Sequence, residues 1–134
     1  MQKESVLLYR INEEKIRQIK MLLLRMKVKI KVVEKKDYLQ PLGLLAGGKE
    51  FTKAEEYAGE ELTEEMMVMV GFSNQRMNEL LMAFRKMGIE RISLKAVLTP
   101  TNQHWNGLDL FHELRKERSQ IEYAMAKRKE QENN

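Results

Sequence analysis

Cysteine is absent from the 134-residue sequence, which also contains only two histidines and two aspartates, Asp37 and Asp109. Without cysteine, the chain has no disulfides, no thiolate metal ligands and no cysteine nucleophile. The few histidines and aspartates leave little material for a metal cage or a catalytic triad. We therefore predict no metal and no cofactor, and we favour a protein that is not an enzyme while leaving catalysis open.

Long hydrophobic runs are missing as well. No apolar stretch approaches the ~20 residues that a membrane span requires. The start, Met1-Gln2-Lys3-Glu4, leads into a short apolar run and lacks the basic start and long apolar core of a signal peptide. We therefore expect a soluble, cytoplasmic protein with no membrane partner.

The composition fits one globular domain. Hydrophobic residues make up 43% of the chain and charged residues 33%, and the formal net charge is only +4, so the chain can bury a core. We predict a single α/β domain over residues 1–125 with an acidic linker at about 37–65. Residues 126–134 are almost wholly polar and are predicted to form a frayed tail.

The first half of the chain is predicted to fold as strand, helix, strand. Ser5–Tyr9 is a continuous apolar run, typical of a strand covered on both faces. Asn12 is placed to cap a helix over about 13–27, in which apolar residues recur at three- and four-residue spacing. From Val28 the apolar period changes to two, which predicts a strand with one solvated face.

The second half repeats this plan and adds a helix. Met66–Val70 is again wholly apolar, and Ser73 or Asn74 can cap the helix that follows. Residues 92–98 alternate like a strand, and a last helix is predicted to begin near Gly107. The predicted order is strand–helix–strand, linker, strand–helix–strand, helix.

Two sheets are compatible with this order, and both place the wholly apolar strands at the centre. One is a small parallel α/β sheet with strand order 2-1-3-4, and the other is an antiparallel, ferredoxin-like α+β sheet with order 4-1-3-2. The linker is too long for a hairpin and long enough for the crossover of roughly a dozen or more residues that a parallel pair needs. We therefore favour the parallel sheet.

The segment Gly43–Lys49 has the spacing of a phosphate-binding loop, G-x-x-x-x-G-K. The next residue is Glu50, where the motif needs Ser or Thr for magnesium, and no strand directly precedes the loop. We therefore interpret Gly47-Gly48 as a turn.

Charge is segregated along the chain, which raises the possibility of nucleic-acid binding. Nine Lys or Arg and one acidic residue lie between Lys15 and Lys36, whereas Glu50 to Glu65 contains seven glutamates and one lysine. A basic stripe is typical of nucleic-acid binding, but this one lacks aromatic residues for base stacking. A solvated face, or neutralisation by the acidic linker, is the favoured explanation. The residues of the nucleic-acid alternative are Lys15, Lys20, Arg25, Lys27, Lys29 and Lys31.

Polar residues concentrate where strands give way to helices. In a parallel α/β sheet, ligands bind beyond the carboxyl ends of the strands, and helix starts there offer free amides to an anion. If all four strands run the same way, these turns share one rim and define a candidate ligand site. An explanation by turns, caps and packing is the competing one. The candidate residues are Asn12, Ser73, Asn74, Thr99, Thr101, Asn102, His104 and Trp105.

The segments Lys95–Trp105, Leu110–Leu114 and Gly71–Asn74 resemble a family of small bacterial proteins catalogued only as a domain of unknown function. The resemblance covers roughly Val6 to Glu117. It implies a bacterial cytoplasmic α/β domain and carries no catalytic residue. It also adds Lys95 to the candidate ligand-binding residues.

Three hypotheses about function follow. The favoured one is a non-enzymatic binding or regulatory module whose partner is a small molecule, an anion or a protein. The alternatives are nucleic-acid binding and a structural homo-oligomer formed through the last helix or through Leu24, which projects away from the apolar stripe of its helix.

Overall fold

The computed structural model describes residues 3–132 and contains one open four-stranded sheet. Its strands are β1 (Ser5–Tyr9), β2 (Lys29–Val33), β3 (Met66–Val70) and β4 (Leu94–Val97). Its helices are α1 (Glu13–Met26), α2 (Leu42–Leu45), α3 (Asn74–Lys86) and α4 (Gly107–Glu132), with short 3₁₀ turns at Lys35–Asp37 and Asn102–His104. The spatial order is β2-β1-β3-β4, which confirms the predicted order 2-1-3-4 and a small α/β fold.

The sheet is mostly parallel but contains one antiparallel pair. β1 pairs with β2 and β3 pairs with β4 in parallel, as predicted. The central strands β1 and β3 are antiparallel, with Tyr9 opposite Met66. The expectation that all four strands run the same way is therefore wrong, and the sheet is mixed rather than wholly parallel.

The linker accounts for this reversal, because it leaves β2 and enters β3 at the same end of the sheet. It folds back on itself through hydrogen bonds from Tyr38 Oη to Glu61 and from Tyr57 N to Lys36 O. Gln40 holds the two arms together by bonding both the amide and the carbonyl of Ala54. The length of the linker favoured a crossover between parallel strands. The contacts instead fold the linker onto itself, over one face of the sheet.

The sheet is covered on both faces, and β1 shows how its side chains divide. Val6 and Leu8 pack with α1 and α3, whereas Leu7 and Tyr9 pack with the linker and α4. Alternate residues of a strand point to opposite faces, so a fully apolar strand is the sequence that this three-layer arrangement requires. The four side chains are completely buried.

The two strand–helix–strand units are related by an approximate two-fold axis perpendicular to the sheet. Leu7 lies opposite Val68 at the centre of the antiparallel pair, and α1 and α3 lie on the same face. Equivalent positions carry equivalent caps, because Asn12 caps α1 and Ser73 caps α3. The repeat of the plan seen in the sequence is thus a repeat in three dimensions.

The last helix runs further than the core it covers. Leu110 and Phe111 are buried against the sheet, whereas residues 119–132 are exposed. Residues 126–132 of the predicted polar tail are helical, and residues 133–134 lie outside the described part of the chain. Within residues 3–132, none of the helices combines the length and apolar character that crossing a bilayer would need.

Candidate functional site

The predicted helix-cap residues lie at opposite ends of the sheet. Asn12 Oδ1 accepts a hydrogen bond from Lys15 N at 2.8 Å, and Ser73 Oγ accepts one from Arg76 N at 3.1 Å. Because β1 and β3 are antiparallel, the start of α1 lies at one end of the sheet. The start of α3, with exposed Asn74, lies at the opposite end. The rim expected to unite Asn12 with Ser73 does not form.

The polar turn after β4 uses its side chains on itself. Thr99 N donates to Asn102 Oδ1 at 2.8 Å, and Asn102 N donates to Thr99 Oγ1 at 3.0 Å. Asn102 Nδ2 donates to Val97 O at 3.0 Å, and the side chain is buried. Asn102 is therefore a positioning residue that fixes the path of the chain from β4 to α4.

The remaining residues of this turn have mixed surroundings. Thr101 and His104 are exposed, and the His104 ring lies 5.4 Å from the Phe51 ring between centroids. Trp105 packs on the core, and its carbonyl accepts a hydrogen bond from Leu42 N at 2.8 Å. The turn anchors the linker to α4, and whether it binds a ligand stays a prediction.

The glycine-rich segment of the linker is packed rather than open. A Cβ on Gly43 would clash with the Phe51 ring, and Gly48 faces the same ring. Gly47 has a φ of 99°, as a turn requires. Within residues 3–132, no three His, Asp or Glu side chains come together as a group that could hold a metal.

The basic residues of the first unit are divided by the fold. Lys15 is buried and its Nζ lies 2.5 Å from Glu65 Oε1. Its charge is therefore neutralised by an ion pair within the protein. The other five residues named in the nucleic-acid alternative are exposed: Lys20, Arg25, Lys27, Lys29 and Lys31.

A cavity of about 180 Å³ lies between α3, the segment that follows it, and β4. Its floor is apolar and includes Phe84 and Ile92, which belong to the core. Its rim carries Arg85, Arg91 and Lys95. Its remaining lining residues are Leu81 and Ile89.

Lys95 is the candidate residue that the structure places in this cavity. It lies on β4, and its Nζ donates to Ile92 O at 2.9 Å. Partial burial, together with the nearby positive charge of Arg91, lowers the pKa of Lys95. Among residues 3–132, no carboxylate forms an ion pair with Lys95, Arg85 or Arg91. The cavity therefore presents positive charge above an apolar floor.

A second cavity of about 230 Å³ lies on the other side of β4, against α4. It shares Arg91 and Lys95 with the first, and Leu114 and Ile121 supply apolar surface. Glu117, Arg118 and Glu122 give it mixed charge. The start of β4 is thus flanked by a cavity on each face.

The sequence analysis named Lys95 as a candidate residue but did not name Arg85 or Arg91, which line the same cavity. Arg85 lies on the exposed side of α3 and Arg91 in a short connection, where basic residues are common and carry no pattern. No local sequence pattern indicates that Arg85 and Lys95 are neighbours, because Arg85 lies on α3 and Lys95 lies on β4.

These features define a small α/β domain with a mixed sheet and a groove of positive charge beside one edge strand. Residues 65–121 match a domain of unknown function, DUF3783. The match covers less than half of the chain: the second strand–helix–strand unit and much of α4, including all residues that line the first cavity and all but Glu122 of those that line the second. No curated protein and no solved structure matches the chain.

Proposed function

We propose that this domain is a non-enzymatic binding module and that the cavity beside β4 is its site. Its ligand combines a carboxylate with an apolar group. The observation that carries the proposal is the position of Arg85, Arg91 and Lys95 above the apolar floor of the cavity, with no carboxylate of residues 3–132 pairing with them.

The positive charge at the rim of the cavity and the apolar residues at its floor each favour a different part of a ligand. Cations close together repel one another, and Lys95 is partly removed from water, so an anion placed between them is favoured. Half-buried Leu81 and buried Phe84 and Ile92 form the surface on which an apolar group would bury area. A ligand with both features satisfies both parts of the site.

The location in the fold supports the same proposal. Every lining residue of the cavity lies inside the segment that matches the family domain. The polar turn after β4 and the cap residues, in contrast, have their hydrogen bonds supplied by the fold itself. Action in the bacterial cytoplasm remains a prediction from the resemblance.

The test compares carboxylates with neutral analogues of the same shape. Octanoate and phenylacetate are titrated against the protein by thermal shift and calorimetry, next to octanamide and phenylacetamide. We expect only the acids to raise the melting temperature, because a ligand at 100 times its dissociation constant adds about 2.7 kcal/mol to the free energy of unfolding.

Two variants assign the effect to the site. Lys95→Gln should abolish the stabilisation by acids, whereas Lys31→Gln, an exposed lysine on the other edge strand, should preserve it. Equal stabilisation of both variants, or no stabilisation of the wild type by any acid, would reject the proposal.

Nucleic-acid binding is a second candidate, favoured by the exposure of Lys27, Lys29 and Lys31 along the end of α1 and β2. The measurement is fluorescence anisotropy with single- and double-stranded DNA and RNA at low salt. Binding should weaken by roughly one log unit per log unit of salt for each phosphate contacted. Absence of binding to all four probes rejects it.

A further inference from the structure

We propose that the partner at this site is an extended polypeptide segment that adds as a fifth strand to the free edge of β4. Its side chains alternate between the two cavities that flank the strand. This inference rests on the proposed function, since it names the class of ligand that brings the carboxylate and the apolar group.

The backbone of β4 presents unused pairing groups along its outer edge. Leu98 N donates to Met69 O at 2.9 Å, so alternate residues up the strand turn their amides toward β3 and the residues between them turn theirs outward. Lys95 and Val97 are the residues that face outward. The Val97 carbonyl accepts a hydrogen bond from Asn102 Nδ2. Within residues 3–132, Val97 N–H and both backbone groups of Lys95 have no hydrogen-bond partner and can pair with a fifth strand.

The two cavities are placed as a fifth strand would need them. Successive side chains of a strand point to opposite faces of a sheet, and the cavities lie on opposite faces of β4 while sharing Arg91 and Lys95. Their volumes, about 180 and 230 Å³, are below the roughly 300–1,000 Å³ typical of small-molecule sites. Each suits a side chain better than a whole free ligand.

The opposite edge strand, β2, is protected against the addition of another strand. Lys29 and Lys31 are exposed on β2, and exposed lysines on an edge strand oppose the addition of another strand. On β4 the single lysine is half-buried, with its ammonium bonded to Ile92 O. The two edges therefore differ in charge as well as in flanking cavities.

The chemistry of the cavities defines the partner segment. The cavity on the α3 face takes an apolar side chain and places Arg85, Arg91 and Lys95 near an acidic neighbour. The cavity on the α4 face has apolar residues and both signs of charge, so it accepts a polar or apolar residue. An extended segment that alternates leucine and threonine and contains aspartate meets these requirements.

The experiment uses a blocked, fluorescent octapeptide of leucine, threonine and aspartate, and the same peptide with alternate amides N-methylated. N-methylation keeps every side chain and removes the groups that pair with a strand. We expect the parent peptide to bind the full-length protein, the methylated one to bind at least about tenfold more weakly, and the NMR amide signals of Lys95 and Val97 to shift.

A matched pair of proline variants tests the edge. Val97→Pro removes an outward N–H and should weaken binding of the parent peptide by about tenfold. Val32→Pro is the control on β2, because Lys29 N bonds to Glu4 O and so turns the amide of Val32 outward in the same way. Circular dichroism of both variants verifies that the sheet persists.

The outcomes separate this inference from the function on which it rests. Binding of free acids together with equal binding of both peptides would overturn strand addition and leave the acid site standing. Failure of the acids and the peptides alike would overturn both. A dimer in light scattering that Val97→Pro dissociates would assign the edge to a second copy of this chain and also overturn the inference.

Discussion

Lys15 Nζ lies 2.5 Å from Glu65 Oε1, and this ion pair joins the first helix to the start of β3. The approximate two-fold axis repeats it, since Arg76 on α3 pairs with Glu4, just before β1, at 2.8 Å. Each unit thus contributes a glutamate ahead of its central strand and a cation in the first turns of its helix. The two contacts hold the halves of the sheet together across the antiparallel pair.

Removal of the Lys15 charge should destabilise the fold strongly. The side chains of Lys15 and Glu65 are only 6% and 14% exposed, so Lys15→Met leaves a largely buried carboxylate without its partner. We expect a loss of about 3 kcal/mol in the free energy of unfolding, measured by urea titration. The control is Arg17→Met, which removes an exposed pair with Glu14 on the same helix and should change nothing measurable.

The double variant Lys15→Met/Glu65→Gln distinguishes an unpaired charge from lost packing. If the unpaired Glu65 carboxylate causes the loss, neutralising it recovers most of the stability. A double variant as unstable as Lys15→Met alone would contradict this explanation.

Asn102→Ala should destabilise the turn between β4 and α4. The substitution removes the partners of Thr99 N and Val97 O together, and the site is buried. We expect a loss of about 2–3 kcal/mol in the free energy of unfolding. Thr101→Ala, an exposed position in the same turn, serves as the control in the same urea titration. Equal stability of Asn102→Ala and wild type would show that the turn does not depend on this amide.

The elements of the fold could be predicted because they follow from local patterns. The wholly apolar runs Ser5–Tyr9 and Met66–Val70 became the two central strands, and α1 formed at Glu13–Met26 against a predicted 13–27. Periodicity determines which face of an element is buried, and the two strands without a polar residue inside the run belong where both faces are covered.

Strand direction could not be predicted, because it depends on contacts between distant residues. The bonds from Tyr38 to Glu61 and from Gln40 to Ala54 turn the linker back, and neither leaves a periodic trace in the sequence. Asn12 is separated from Ser73 for the same reason, since the two residues share an end of the sheet only if β1 and β3 are parallel. The cavity beside β4 arises from packing of α3 on β4, which local patterns do not specify.

Tyr9→Phe should stabilise the protein. Tyr9 is completely buried, and its hydroxyl has no hydrogen-bond partner among residues 3–132. Removing an unsatisfied buried hydroxyl removes its desolvation cost, and we expect a gain of about 1 kcal/mol by thermal and urea unfolding. Tyr38→Phe, which breaks a hydrogen bond to Glu61, should instead lose stability. A loss of stability in Tyr9→Phe would show that its hydroxyl has a partner.

The same residue predicts a response to alkaline pH. Burial raises the pKa of the Tyr9 hydroxyl, so the folded protein keeps it neutral after the unfolded chain has begun to ionise. This contribution to stability is complete below the ordinary tyrosine pKa of about 10 and declines as the pH rises above it. The free energy of unfolding is measured at neutral pH and above pH 10 for both proteins. The decrease between the two pH values should be smaller in Tyr9→Phe than in wild type.

Glu64 predicts a response to acid at the joint between α4 and β3. The bidentate hydrogen bonds from Arg118, at 2.7 and 2.8 Å, are the main cause that lowers the pKa of Glu64, with Arg115 adding charge. Because the folded pKa is depressed, the contribution to stability is present above the ordinary glutamate pKa of about 4.3 and is lost as the pH falls through the lower, folded value. Glu64→Gln should be less stable than wild type at pH 7, and the difference should shrink in acid. A constant difference would contradict this assignment.

Lys27 and Gly88 occupy equivalent positions after α1 and α3, and both have a left-handed backbone, with φ of 59° and 69°. Lysine pays a steric cost in this region that glycine avoids, although glycine also makes the unfolded chain more flexible. We expect Lys27→Gly to gain about 0.5–1 kcal/mol in the free energy of unfolding and Gly88→Lys to lose a similar amount. A Cβ at Gly88 would meet no atom within 4 Å, so the loss there would come from backbone conformation rather than from a clash. Urea titration of both variants measures the pair, and a gain at Gly88 or a loss at Lys27 would show that the two helix ends are not energetically equivalent.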